Sequence, residues 1–187
     1  EANEAKQLLT LFDMPEDPVM TMLFLGPGYT QPAVRLFAVE QLSRMSDSDL
    51  SLYMLQLVQC LKYEAHHDSP LSQFLIRRAL RSPYQAGHKL FWTIKAEMSF
   101  APEYQERYQV ILEEYLIKAG KHRQELSKQY IICKRFEEVS HQVTQARRTK
   151  KKKVVDAMYY KMLHTINEQL LKRVGKFQLP LDPKIEL

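Results

Sequence analysis

Residues 47–80 read DSDLSLYMLQLVQCLKYE, then AHHDS, then PLSQFLIRRAL. The first and third parts have the spacing of helices that are apolar almost all round. From Leu50 to Leu61 only Ser51, Gln56 and Gln59 are polar. A helix so poor in charge is expected to be sandwiched between other elements. The AHHDS connection is short enough that the two helices are expected to pack antiparallel. Leu50, Leu55, Leu57, Val58 and Leu61 are the expected central core, with Phe74 and Leu75 facing them and Trp92 bracing the next pair.

Outward from this pair the punctuation repeats. Pro15, Asp17 and Pro18 are expected to close a first helix. Gly26, Pro27 and Gly28 separate an apolar turn at residues 20–25 from the helix that Pro32 opens, in which Val34, Phe37, Ala38 and Leu42 fall at helical spacing. Asp47 or Ser48 is the expected cap of the central helix. Ser69 caps the next, with Pro70 at the first helical position, where its missing N–H costs nothing. Pro83 and Pro102 open two more in the same way. The second of these carries Tyr104, Tyr108, Ile111, Leu112, Tyr115 and Leu116 as one stripe and ends at Gly120. Two long amphipathic helices follow, striped by Leu126, Tyr130, Cys133, Phe136 and Val143, then by Val155, Met158, Met162, Ile166 and Leu170. After Gly175, FQLPLDPKIEL contains two prolines and reads as extended.

A weak internal repeat accompanies this rhythm. Val34, Phe37, Ala38 and Val39 align with Leu71, Phe74, Leu75 and Ile76 at an offset of 37 residues. Helix pairs recurring at such a period predict an all-α fold, a HEAT-like α-solenoid of antiparallel pairs ending in an extended linker segment. An irregular helical bundle is the plainer alternative.

Composition narrows the function classes. The chain has 187 residues, the length of one domain, with only 5 glycines, few for a β-rich or nucleotide-binding fold. The net charge of +5 is local, because Arg147, Arg148, Lys150, Lys151, Lys152 and Lys153 occupy one seven-residue window. Two cysteines, Cys60 and Cys133, at apolar helical positions make no disulfide framework and fit a reducing, intracellular compartment. The start, EANEAKQLLTLF, is acidic and is not expected to act as a signal peptide, and no run of apolar residues is long enough to span a bilayer.

Catalytic patterns are nearly absent. Gly26-Pro27-Gly28 lacks the glycine spacing and the lysine of a phosphate cradle. His66, His67 and His88 are the only candidates for a metal site, and solvent-facing turn residues explain the adjacent pair better than zinc. Glu113-Glu114 and Glu137-Glu138 read as solvated helix faces, and the cysteines as core rather than nucleophiles. The basic window has three readings, in this order: a solvated loop or helix end, a contact with anionic lipid, and a nucleic-acid site, which lacks interleaved aromatics.

Several of these stretches together resemble one family. YTQPAVRLFAVEQL (29–42), DLSLYMLQLVQCLKYE (49–64), DSPLSQFLIRRAL (68–80), GHKLFWTIKAEM (87–98) and RYQVILEEYLIKAG (107–120) are similar to the helical accessory domain, or PIK domain, of phosphatidylinositol 3-kinases. The resemblance implies that residues 1–174 are that domain, N-terminally truncated, and that residues 175–187 are the linker entering the kinase N-lobe. It implies a scaffold, with the kinase domain of the same polypeptide and a regulatory subunit as partners, and with membrane lipid reached through the parent enzyme. No catalytic, cofactor or metal residue is expected in this segment. ATP and magnesium or manganese belong to the parent, which would phosphorylate the inositol 3-hydroxyl on endosomal or other intracellular membranes. PAVRLFAVEQL, LPLDPKI and the lysine run resemble class III enzymes, of endosomal sorting and autophagy. GHKLFW and the compact HHDS turn look more like class I, and the balance favours class III. Two other readings stay open: a free-standing α-solenoid adaptor, and a membrane-surface module acting through residues 147–153.

Overall fold

The computed structural model describes residues 17–173, 175–176, 178–183 and 185. The helix expected upstream of Asp17 lies outside the described residues, as do the Leu170 side chain and several positions of the extended segment after Gly175. Among the described residues the regular elements are helical, as the all-α reading requires. They fall into two compact units, Glu1–Gly120 and Lys121–Leu187.

In the first unit Asp17 opens a helix rather than closing one. Its carboxylate accepts from the Val19 N–H at 2.9 Å and caps a 3-10 helix, Pro18–Leu25. That helix packs on α1, Pro32–Leu42, which begins with proline at its first position. The central stretch is not one helix. It breaks at Tyr53 into α2, Asp47–Leu52, and α3, Met54–Cys60, followed by a 3-10 turn, Leu61–Tyr63. The cap is Ser46, whose hydroxyl accepts from the Asp49 N–H at 3.1 Å. Asp47 is drawn off by Arg78 and Arg81.

The central helix is also not sandwiched. Leu50, Met54, Leu57, Val58 and Leu61 are buried, a one-sided stripe at helical spacing. Leu52 and Leu55 lie off it, 75% and 47% exposed, so the assignment of Leu55 to the core is corrected. An apolar residue opposite a complete apolar stripe has nowhere to go but outward.

Helix α4, Pro70–Arg81, starts with a reciprocal capping box. The Ser72 N–H donates to the Ser69 hydroxyl at 3.1 Å and the Ser69 N–H to the Ser72 hydroxyl at 2.9 Å. Phe74 and Leu75 are buried on it. A π-helical turn, Pro83–Gly87, leads into α5, His88–Phe100, and a 3-10 turn, Pro102–Tyr104, into α6, Gln105–Lys118. Gly120, at φ 54°, follows α6 in the left-handed conformation that glycine adopts freely.

Contacts skip along the chain. Helix α3 packs chiefly on α5 rather than on its neighbour α4, which corrects the antiparallel pairing expected from the short turn. Helix α4 lies against both α1 and α6, and α5 lies against α6. Taking α2 and α3 as one broken helix, α1, α4 and α6 form one layer while α2–α3 and α5 form the other. The aligned repeat positions Phe37, Ala38 and Val39, and Phe74, Leu75 and Ile76, are buried in two helices of the same layer.

The second unit contains α7, Lys121–Arg147, and α8, Lys152–Arg173, packed as a hairpin. Val139, Val143 and Ala146 meet Val155 and Ile166, with Met158 and Met162 half-buried beside them. The stripe predicted for α7 is rotated. His122, Leu126, Gln129 and Ile132 are buried, Tyr130 and Cys133 only partly, and Phe136 is 49% exposed.

Candidate functional site

Charged residues on the apolar stripes do much of the positioning in the first unit. Arg35 sits in α1 on the face carrying Ala38, Val39 and Leu42, and its guanidinium is buried. Its Nε donates to Glu64 Oε1 at 2.9 Å, and its Nη1 to the carbonyls of Leu25 at 3.0 Å and Tyr29 at 3.1 Å. Arg107 of α6 donates to the carbonyls of Leu61, at 2.9 Å, and Glu64. One cluster thus ties the end of the first 3-10 helix, α1, the turn after α3 and α6 together.

A second clamp uses Arg78 of α4. It donates to the carbonyls of Ser43 at 3.1 Å and Met45 at 2.6 Å and pairs with Asp47 at 2.7 Å. A third uses Glu97 of α5, which accepts from the Gln59 side chain at 3.0 Å and pairs with Lys62 at 3.0 Å. These residues were missed in the sequence reading, yet each carries a signal: a charge at i, i+3 or i+4 on a helix's buried face.

Of the residues expected to form the core, Leu50, Leu57, Val58, Leu61, Phe74 and Leu75 are brought together inside the first unit. Trp92 is half-buried, its ring edge-to-face with Phe91 at 5.1 Å and tilted against buried His88 at 6.5 Å. His66 and His67 are exposed in the turn, apart from His88. Cys60 and Cys133 are half-buried, and burial pushes both thiols above the usual cysteine range; at Cys133 Glu137 adds to the shift. Thiols held protonated in this way are poor nucleophiles.

The basic window lies at the tip of the α7–α8 hairpin, in the last turn of α7, the connecting turn and the first turn of α8. Arg147, Arg148, Lys150, Lys151, Lys152 and Lys153 are all exposed. Below the tip, a groove of about 440 Å³ is lined by Phe136, Val139, Val143, Tyr159 and Leu163, with Arg147 and Asp156 as its charged members. Among the described residues, no helix is long and apolar enough to cross a membrane.

The layered unit is the part a known family model recognises. The model for the phosphoinositide 3-kinase family accessory domain (PIK domain) matches residues 1–128. The chain belongs to this family. Phosphatidylinositol 3-kinase 2 of Dictyostelium discoideum is 38% identical over 169 residues, 90% of this chain and 9% of that protein. Phosphatidylinositol 3-kinase 1 of the same organism is 38% identical over 126 residues, 67% of this chain and 8% of that protein. Phosphatidylinositol 3-kinase pik3 of Schizosaccharomyces pombe is 31% identical over 206 aligned positions, 100% of this chain and 25% of that protein. The PIK-domain chain therefore spans between about a tenth and a quarter of the length of these relatives. The three clamps fall inside the matched residues, whereas the basic tip of the hairpin falls beyond them.

Proposed function

We propose that this PIK domain is the helical scaffold of a phosphatidylinositol 3-kinase, whose catalytic domain lies in the same polypeptide. The match over residues 1–128, joined to relatives that are themselves named phosphatidylinositol 3-kinases, carries the reading. Skipped packing of α1 on α4 and of α3 on α5 supports a HEAT-like solenoid, in which each helix is held by neighbours in its own layer. Such a slab, cross-tied by Arg35, Arg78 and Glu97, is a stiff bed for kinase lobes and a surface for a regulatory subunit. Phosphoryl transfer itself needs ATP and magnesium or manganese positioned by the catalytic domain.

The finer resemblance bears on the substrate class. PAVRLFAVEQL, LPLDPKI and the lysine run support class III and plain phosphatidylinositol on endosomal or other intracellular membranes. GHKLFW and the compact HHDS turn favour class I and its bisphosphate, so the assay offers both lipids.

A lipid-kinase assay compares the full-length protein with residues 1–187 alone, on phosphatidylinositol and its bisphosphate in separate vesicles. The expected result is 3-phosphorylated phosphatidylinositol from the full-length protein only. Product from the bisphosphate alone would replace class III by class I. No product from the folded full-length protein would overturn the kinase reading in favour of an adaptor.

A further inference from the structure

From Lys128 to Arg135 the cations of α7 are matched to carboxylates. Lys134 pairs with Glu137 at 2.6 Å and Arg135 with Glu138 at 3.0 Å. Beyond Glu138 the matching stops. No acidic residue occurs again until Asp156, and between them lie the six cations of the tip. All six are exposed, and none pairs with a carboxylate among the described residues.

Their placement works against the fold that carries them. The first turn of α8 contains Lys152 and Lys153 and no acidic residue. A helix N-terminus carries partial positive charge and favours anions, so lysines there are destabilising. Lys150 and Lys151 immediately precede this turn and add to the repulsion. The backbone nevertheless holds them close: the Lys150 N–H donates to the Ala146 carbonyl at 2.9 Å, and the Val154 N–H to the Lys151 carbonyl at 3.0 Å. Uncompensated like charge on a tight turn, with no use inside the hairpin, is what an external polyanion would relieve.

We infer that the tip of the α7–α8 hairpin, residues 147–153, docks on an anionic phospholipid bilayer. Apart from Arg147, which borders the groove below, the cations sit on the turn outside it, which suits a flat charged sheet. Val154, the next residue, is 53% exposed and puts an apolar side chain beside the charges. Nucleic acid is the less fitting polyanion, because no aromatic interleaves the cations; the tyrosines nearest in sequence are Tyr159 and Tyr160 on α8. This goes beyond the scaffold reading and stands on the hairpin alone.

The test is co-sedimentation of the whole chain with vesicles of phosphatidylcholine, with and without phosphatidylserine. Binding is expected only with phosphatidylserine. It should fade as salt rises from about 0.1 M to about 1 M, where the screening length falls from about 10 Å to about 3 Å. Each single Lys→Gln change in the tip should weaken it about fivefold. Changing all six to Gln should abolish it while leaving the melting temperature unchanged or raising it, since the repulsion at the turn is relieved. Should that variant fail to fold, the double variant Lys151→Gln/Lys152→Gln decides the matter by the same fivefold steps. The pair Lys134→Gln/Arg135→Gln, equal in charge removed but away from the tip, should leave binding unchanged. No binding to phosphatidylserine vesicles, or equal loss in this control pair, would overturn the inference. Preference for a poly-glutamate peptide or a single-stranded oligonucleotide over the vesicles would overturn it too, assigning the tip to an acidic protein or a nucleic acid.

Discussion

Arg35 and Glu64, 29 residues apart, meet with side chains only 5% exposed each, and the arginine Nε lies 2.9 Å from the carboxylate. The pair joins α1 to the turn that ends the central helix, and it fixes where α6 docks through Arg107. Removing one partner of a buried pair leaves an uncompensated charge. Glu64→Gln is therefore expected to destabilise the first unit by about 3–5 kcal/mol in urea unfolding. Arg35→Lys should fall in the same range, since an ammonium cannot serve Glu64 and the Leu25 and Tyr29 carbonyls together. A loss below about 1 kcal/mol in both would show that water reaches the pair.

Leu55 and Leu57 are two residues apart with opposite surroundings. Leu57→Ala opens a cavity behind a fully buried side chain and should cost about 2–5 kcal/mol. Leu55→Ala, at a position 47% exposed, should stay within about 0.5 kcal/mol of the parent. Equal losses for the two in chemical denaturation would restore the sandwiched helix.

Gly87 has no room for a side chain. An added Cβ would overlap the Tyr115 hydroxyl and come within 2.8 Å of the Ala79 carbonyl oxygen. Gly87→Ala should lower stability by about 1–3 kcal/mol through overpacking. Adding Tyr115→Phe should recover only part of the loss, because the Ala79 oxygen belongs to the backbone of α4 and cannot swing aside. Full recovery would place the whole conflict at the tyrosine.

Tyr108 and Tyr115 titrate far above the ordinary tyrosine value, in both cases first because burial disfavours the phenolate; at Tyr108 Glu97 adds to the effect. The folded state thus keeps protons that the unfolded chain releases above about pH 10. Stability from these groups is fully present below that pH and falls as pH rises toward the folded values, by up to about 1.4 kcal/mol per pH unit for each tyrosine. Urea midpoints taken from neutral pH into this alkaline range should show a shallower decline for Tyr115→Phe than for the parent. An unchanged slope would mean that the phenol is hydrated.

Local chemistry wrote much of this structure into the sequence. Pro32, Ser69-Pro70 and Gly120 mark helix ends because each acts within its own turn, through a ring, a hydroxyl or a missing side chain, whatever surrounds it. The amphipathic spacing of α6 gave Tyr108, Ile111, Leu112 and Tyr115 as its buried face, and the lysine run was visible as a charge cluster. The clamps were readable only in retrospect: Arg35, Arg78 and Glu97 stand on buried stripes, but nothing local names the partners, which come from 29 to 38 residues away.

The sequence by itself determined that the chain is helical, where most helices start and stop, and which family it belongs to, since capping, periodicity and the shared segments are properties of neighbouring residues. Only the tertiary structure decided which side of an all-apolar helix faces inward. Burial depends on which other helix arrives, and α3 receives α5, leaving Leu52 and Leu55 outside. It also decided that Glu64 neutralises Arg35 and that no carboxylate among the described residues neutralises the hairpin tip, because Coulomb attraction acts through space and is blind to position along the chain.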